Sequence, residues 1–330
     1  MTITHPSTIT HAEAHAHGKD ASYDAIVIPE PFPSTEATLD ADRVRAFAFA
    51  QGDYGSWYFG ESPFGGPIGH PLALANDLLF LFYETYNGNT AEGLQTHERL
   101  RFRSPLRLGE SVRIDGGYVE RYENRGHGYV VMEAAATAED GRTVVEHRGT
   151  EIMRTRAGEV SGRSKAAPAG RRVQAAPDTA LPTLTRAALG APLGSPVAGV
   201  SRHFTQDQMN VFSWLARGYR NVHTDIGRAR DSGVDRTIVQ ALQQTGLIAE
   251  AMVGYFGASW FTTGELDLRY THPAFCGEQL TVRAALVGET DGVQELEVWI
   301  DSDGGPRTAL GWARAMVTDD ERRPHPVIGI

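Results

Sequence analysis

Apolar residues recur at helical spacing in two short segments, LDADRVRAFAFAQ at 39–51 and FTQDQMNVFSWLA at 204–216. Val44, Phe47 and Ala48 share a face in the first, and Met209, Phe212 and Trp214 roughly share one in the second. Each is followed by a loop of Gly, Asp and aromatic residues. A longer and more apolar stretch comes next, at 69–86 and at 238–256, and both predict a buried helix. After it the period changes to two. Leu100 and Phe102 alternate with Arg99, Arg101 and Arg103, and Leu280, Val282, Ala284 and Leu286 share one face. Glu139–Asp140–Gly141 and Ser302–Asp303–Gly304 mark the turns between the last strands.

The order is the same twice because the chain contains itself twice. RFRSPLRLGE at 101–110 aligns with RYTHPAFCGE at 269–278, an offset of 168 that sets Pro105 on Pro273 and Glu110 on Glu278. Phe47 falls on Phe212 and Tyr58 on His223 at an offset of 165, and Pro67–Pro71 falls on Thr237–Ala241 at 170. Each copy reads as helix, long helix and about four antiparallel strands. A helix that is apolar almost all round needs a sheet wrapped about it, and two such sheets joined edge to edge remove an exposed edge from each. The domains are expected at 24–156 and 199–320. Residues 157–198, rich in Ala, Pro, Gly and Arg, are expected as a linker, with tails at 1–23 and 321–330.

The 330 residues carry 31 Lys and Arg against 41 Asp and Glu, a net charge of −10, which disfavours a nucleic-acid partner. Cys276 is the single cysteine, so an intrachain disulfide and a Cys-based zinc site are excluded, and no metal is expected. His5, His11, His15 and His17 decorate a polar terminus with no apolar run, which is no signal peptide. No stretch approaches the roughly 20 apolar residues that span a bilayer, and a soluble, cytoplasmic protein is expected.

These residues resemble the MaoC-like dehydratases and (R)-specific enoyl-CoA hydratases, over about 25–155 and 200–318. The resemblance implies an α+β double hotdog: two antiparallel sheets, each wrapped around a long central helix, in one chain. The family's motif is Gly-Asp, then Asn-Pro, a hydrophobe and His, with a second segment of the type Pro-Ile-Ala-His-Gly opening the central helix. It implies an Asp and a His that activate water beside a thioester, and helix-start amides that polarise its carbonyl. The motif is divided between the copies. Asp53 holds the acid position of the first, with Tyr58 where the His belongs; His223 holds the base position of the second, with Gly218 in place of the acid.

Hydration of a 2-enoyl thioester needs a general base for the water, a proton for the alpha carbon and donors aimed at the thioester oxygen. The catalytic candidates are therefore His223, Asp225, Asp53 and Tyr58. The substrate-binding candidates are Gly66, His70, Asn221, Gln240 and Ala241. Gly65–Gly66 permits close backbone approach before the first long helix, whereas Pro71 has no amide hydrogen to donate and Ala241 keeps one.

Several residues keep a second reading. Asp225 orients the imidazole or caps the following turn; Asp53 holds water or caps a loop; His70 lines a pocket or packs; Tyr58 donates to a ligand or packs on its loop. The second copy is the better candidate for chemistry, and the first, with its aromatics, for accommodating the acyl chain. No dissociable cofactor is implied, since CoA or an acyl carrier protein is the substrate's carrier. The molecule is expected as a monomer of one double hotdog or a homodimer. The competing functions are a non-catalytic thioester-binding subunit and a hotdog thioesterase.

Overall fold

The computed structural model describes residues 18–88, 93–155, 177–215 and 221–327. The N-terminal copy begins with the short strands β1 (Glu30–Pro31) and β2 (Thr35–Thr38). Helices α1 (Ala41–Gln51), α2 (Ser56–Phe59) and α3 (Ala75–Leu79) follow, then strands β3 (Leu94–Phe102), β4 (Ser111–Asn124), β5 (His127–Ala138) and β6 (Thr143–Thr155). The C-terminal copy repeats the plan. It has β7 (Pro196–Val197), β8 (Ser201–His203), α4 (Gln206–Trp214), α5 (Ile226–Asp231), α6 (Ala241–Phe256) and α7 (Trp260–Thr263). Strands β9 (Glu265–Tyr270), β10 (Gln279–Thr290), β11 (Val293–Ser302) and β12 (Arg307–Met316) complete it.

All strands join one antiparallel sheet ordered β1-β4-β5-β6-β3-β9-β12-β11-β10-β7, with β2 beside β4 and β8 beside β10. The copies meet edge to edge at β3 and β9, as expected. The seam's register is symmetric: Arg99 lies opposite Asp267, 168 residues on, and His97↔Arg269 and Arg101↔Glu265 flank that pair. Equivalent positions face each other only beside a two-fold axis. A second contact agrees, since Phe47 of α1 meets Phe212 of α4, its repeat equivalent, with ring centroids 5.8 Å apart. On the solvent side the seam carries the His97–Asp267 and Arg99–Asp267 pairs at 2.6 and 2.8 Å, while Leu100, Leu266 and Leu268 are buried on the inner side.

Helix α6 is the expected long helix of the second copy, buried on almost every side. Gly246 lets it approach α1: a Cβ there would lie within 2.3–2.7 Å of the Gln51 side chain. The first copy departs from expectation. Residues 69–86 do not form one long helix; α3 has five residues and passes into a 3-10 turn at Phe80–Glu84. A 3-10 turn eclipses positions three apart, and here that eclipsing stacks Phe80 on Tyr83, with centroids at 5.1 Å and planes 5° apart. Aromatic packing outweighs the α-helical continuation.

The expected segment boundaries also shift. Ala21 and Tyr23 are buried, and Arg154 lies over the Tyr23 ring at 4.3 Å, so the packed chain begins by residue 18 rather than 24. The four tail histidines and residues 157–176 of the expected linker lie outside the described residues. Residues 177–198 dock on the second copy: β7 pairs with β10, and the Ala187 amide donates to the Tyr255 carbonyl at 2.9 Å. The end of the expected linker, Pro196–Val197, is the outer edge strand of the C-terminal sheet.

The inner face of β3 and β6 buries an acid–imidazole cluster. Glu98 and His147 are 2.8 Å apart with fully buried side chains. Burial pushes the nearby Glu151 up to about 7, against the opposing charge of His147. A carboxyl whose pKa is raised on folding contributes stability that is present below its unfolded value of about 4.5 and lost as pH rises through about 7. Glu151→Gln is therefore expected to flatten the fall in Tm between pH 5 and pH 8. Equal slopes in variant and wild type, by thermal denaturation, would refute this.

Candidate active site

His223 lies in the loop that leads from α4 to α5. Residues 216–220, including Gly218 at the acid position, lie outside the described residues. The His223 amide donates to Asn221 Oδ1 at 2.8 Å, and its carbonyl accepts from Gln206 Nε2 at 2.9 Å. Its ring Nδ1 lies 2.6 Å from the Ile238 carbonyl oxygen. A carbonyl only accepts, so Nδ1 carries the proton and Nε2 is left with its lone pair. Burial pushes the imidazole down to about 4, so it is neutral at pH 7.

The same Ile238 leads into α6. Its amide donates to the Val222 carbonyl at 3.2 Å, closing the 223–238 excursion at its base. Ala241 is the first residue of α6, and the amides of a first helical turn have no intrahelical acceptor. The imidazole is thus held by a carbonyl three residues ahead of a helix N-terminus. The helix dipole favours negative charge at that end.

The other candidates of this copy are occupied in holding the loop. Asp225 caps α5, accepting from the Arg228 amide at 3.0 Å, which is its capping reading. Asn221 Oδ1 serves the His223 amide. Gln240 is buried and donates to Ser213 Oγ at 2.5 Å, tying α6 to α4 rather than facing a ligand. Sequence reasoning missed Gln206, which bonds His223, Asn210 and, through its Oε1, Thr237 at 2.6 Å. Nothing in a Gln at a helix start signals that clamp.

In the first copy Asp53, Tyr58 and His70 come together, but as a closed cluster. Asp53 accepts from the Gly55 amide at 3.1 Å and from the Tyr58 hydroxyl at 3.0 Å. His70 Nδ1 accepts from the Leu72 amide at 3.0 Å, so its proton sits on Nε2, 3.6 Å from Asp53. Burial, reinforced by the Arg202 charge, pushes His70 down to about 3. Burial raises Asp53, while Tyr58, Arg202 and the Gly55 amide pull the other way. Two cavities touching His70 measure about 10 Å³ each, room for one water at most.

The packing reading therefore describes Tyr58 and His70, and the expected acyl pocket is not formed by them. Gly66 sits in a left-handed turn with φ of 76°, its carbonyl accepting from Ser62 Oγ, nine residues ahead of α3. It does not bring backbone to a helix start.

The second copy reaches into this cluster. Arg202 of β8 binds both carboxylate oxygens of Glu250, from α6, at 3.0 Å each, and donates to the Gln51 carbonyl. Burial, with the Asp53 charge, pushes Glu250 up to about 7 against the pull of Arg202. Neither residue is near Asp53 in sequence, so no local signal pointed to them.

Among the described residues no three His, Cys, Asp or Glu side chains are arranged to hold a metal, and no helix is long and apolar enough to cross a membrane. Cys276 is half-buried, its thiol 3.7 Å from the Phe204 carbonyl oxygen.

Comparison with known proteins agrees with this architecture. Residues 189–302 match the model of the MaoC like domain family. No curated protein sequence matches the chain. Among solved structures, a MaoC-like dehydratase superposes with a TM-score of 0.70 at 16% identity, covering 90% of this chain and all of the other. A conserved hypothetical protein of Mycobacterium tuberculosis with a double hotdog fold gives 0.60 at 14% identity, over 91% of this chain and 98% of the other. The peroxisomal multifunctional enzyme type 2 of Drosophila melanogaster gives 0.61 at 16% identity, over 87% of this chain and 48% of the other. The family match begins inside the expected linker, where the structure also places the edge of the second sheet. Residues 189–302 are thus similar to the MaoC like domain family, and the chain takes the double hotdog fold over its described length.

Proposed function

We propose that this protein is a hydro-lyase that hydrates a 2-enoyl thioester, or dehydrates the 3-hydroxyacyl thioester, with His223 as the general base. The observation that carries the reading is the His223 ring, whose Nδ1 is pinned to the Ile238 carbonyl three residues before α6 begins, so that Nε2 is the nitrogen carrying the lone pair. In the hydration direction Nε2 takes a proton from water as the water oxygen bonds the beta carbon. The electron pair of the double bond moves into the thioester, whose oxygen gains enolate charge near the first amides of α6. The imidazolium then returns the proton to the alpha carbon. CoA or an acyl carrier protein presents the thioester, and the chemistry uses no further cofactor.

The test mixes the protein with crotonyl-CoA and longer enoyl-CoAs. Loss of the enoyl absorbance without free thiol is the expected result. Release of free thiol would make it a thioesterase. Binding with neither signal would favour a thioester-binding subunit, the reading supported by the closed Asp53 cluster. Asp53→Asn is expected to change kcat less than tenfold, because its carboxylate is held by Gly55 and Tyr58 away from solvent. A loss at Asp53 equal to that at His223 would move the working site to the first copy.

A further inference from the structure

The acid–imidazole cluster on the inner face of β3 and β6 belongs to the first copy alone. The register of β3 with β6 sets Leu100 opposite His147 and Glu98 opposite Gly149. At the equivalent places of the second copy Leu268 lies opposite Gly311 and Leu266 opposite Ala313. The position of Glu98 is thus a buried leucine, and that of His147 has no side chain. Ala315 stands where the first copy has Glu151. The same fold closes its core there without polar groups. A buried ionisable pair carries a desolvation cost that apolar residues avoid, so packing alone does not call for the cluster.

The cluster is also incompletely satisfied. Glu98 Oε2 accepts from Gln95 Nε2, while Glu98 Oε1 and both ring nitrogens of His147 have no hydrogen-bond partner. Oε1 and Nε2 are 2.8 Å apart but out of hydrogen-bond alignment. Buried polar atoms are rarely left so. The ring lies over Gly149, where a Cβ would come 3.0 Å from its Cε1. A glycine at that place leaves the imidazole room against the strand.

A row of polar groups joins the cluster to the start of α6. Leu268 of β9 lies opposite Glu98, and Tyr270 is the next residue on that face. Its hydroxyl is 2.5 Å from Thr245 Oγ1, which donates to the carbonyl of Ala241, the first residue of α6. Burial, then the charge of Glu98, raises the Tyr270 phenol well above its ordinary value. Thr245 stands one turn, about 6 Å, along the helix from the amides at its start. Tyr270 is half-buried, and Thr245, Glu98 and His147 lie inside.

The unpartnered atoms select the group they would take. In either protonation state an imidazole keeps at least one N–H, and Glu98 Oε1 supplies an acceptor. A hydroxyl accepts from the one and donates to the other. An ammonium only donates and leaves the N–H unpaired; a carboxylate only accepts, and meets the carboxyls of Glu98 and Glu151. A methyl leaves both unpaired. We propose that Glu98 and His147 form a binding subsite for a hydroxyl toward the far end of the acyl chain, which makes the substrate a hydroxylated acyl thioester. The subsite rests on the hydro-lyase reading for the place of the thioester at the start of α6.

The test is titration calorimetry with hexanoyl-CoA and octanoyl-CoA, which are saturated and so not consumed by hydration, and with their ω-hydroxy, ω-amino and ω-carboxy forms. At one of the two lengths the ω-hydroxy form is expected to bind about tenfold more tightly than the other three, the size of one buried polar group left unpaired. Glu98→Leu, which installs the residue of the second copy, is expected to erase that preference while the unsubstituted thioester keeps its affinity. Gly149→Ala, whose Cβ displaces the His147 ring, is expected to reduce the preference in part, and serves if Glu98→Leu does not fold. Equal binding of the hydroxy and methyl forms at both lengths would overturn the subsite. So would a preference for the amino or carboxy form, or a hydroxyl preference unchanged in the variants. A hydroxyl preference without loss of enoyl absorbance from crotonyl-CoA would uphold the subsite and remove hydration; no binding of any thioester would remove both.

Discussion

His223→Ala is expected to lower kcat on an enoyl thioester by about 10²–10⁴-fold while leaving Tm within a few degrees, the range a positioned general base contributes. The ring is half-buried at the edge of a loop, and its lost bond to Ile238 is one of several that close the 223–238 excursion. The pH profile carries a second test of the same assignment. A base works when unprotonated, and burial holds this imidazole down to about 4. Wild-type kcat/KM is therefore expected to stay level through pH 6 and to fall only as pH drops toward 4. An acid limb near 6.5, the ordinary histidine value, would assign the base to an exposed histidine instead. A variant with undiminished kcat would remove His223 from the mechanism.

The largest effect on stability is expected at Arg202. Its guanidinium joins the two copies, holding Glu250 bidentately and the end of α1 through the Gln51 carbonyl. Arg202→Met leaves the carboxyls of Glu250 and Asp53 in a largely buried site without their shared cation. Breaking a buried pair from one side costs about 3–5 kcal/mol; with each side chain of the pair 19% exposed, about 3 kcal/mol is expected at pH 8. The sign of the pH dependence follows from the carboxyl. Glu250 already sits at about 7 with Arg202 present, and without the cation it rises further, so protonation relieves the site in acid. The destabilisation is expected to be smaller at pH 5.5 than at pH 8, by urea denaturation at both. A loss under about 0.5 kcal/mol at pH 8, the size of an ordinary surface change, would show that Arg202 is not an anchor of this buried site.

Much of the architecture was legible in the chain because repetition is a pattern in one dimension. The offset of 168 between the two strand motifs reappears in the structure as the Arg99–Asp267 pair at the seam, and the offset of 165 as the Phe47–Phe212 contact. The period-two and helical stretches located β3, β10, α1, α4 and α6. His223 stood out because a repeat sets it beside Tyr58, so that a difference between copies could be read as a difference in chemistry.

What the sequence by itself determined was therefore whatever depends on near neighbours or on self-comparison: the two copies, their element order, the edge-to-edge sheet and the candidate base. What only the tertiary structure decided depends on groups distant in the chain. The break of the first long helix rests on a stack of aromatics that competes with helical continuation. The tautomer of His223 rests on the Ile238 carbonyl, fifteen residues away in sequence. The charge balance of the Asp53 cluster rests on Arg202 and Glu250, both from the second copy. In each case the deciding term is burial or a hydrogen bond between remote segments, and such a term has no signature at the residue that feels it.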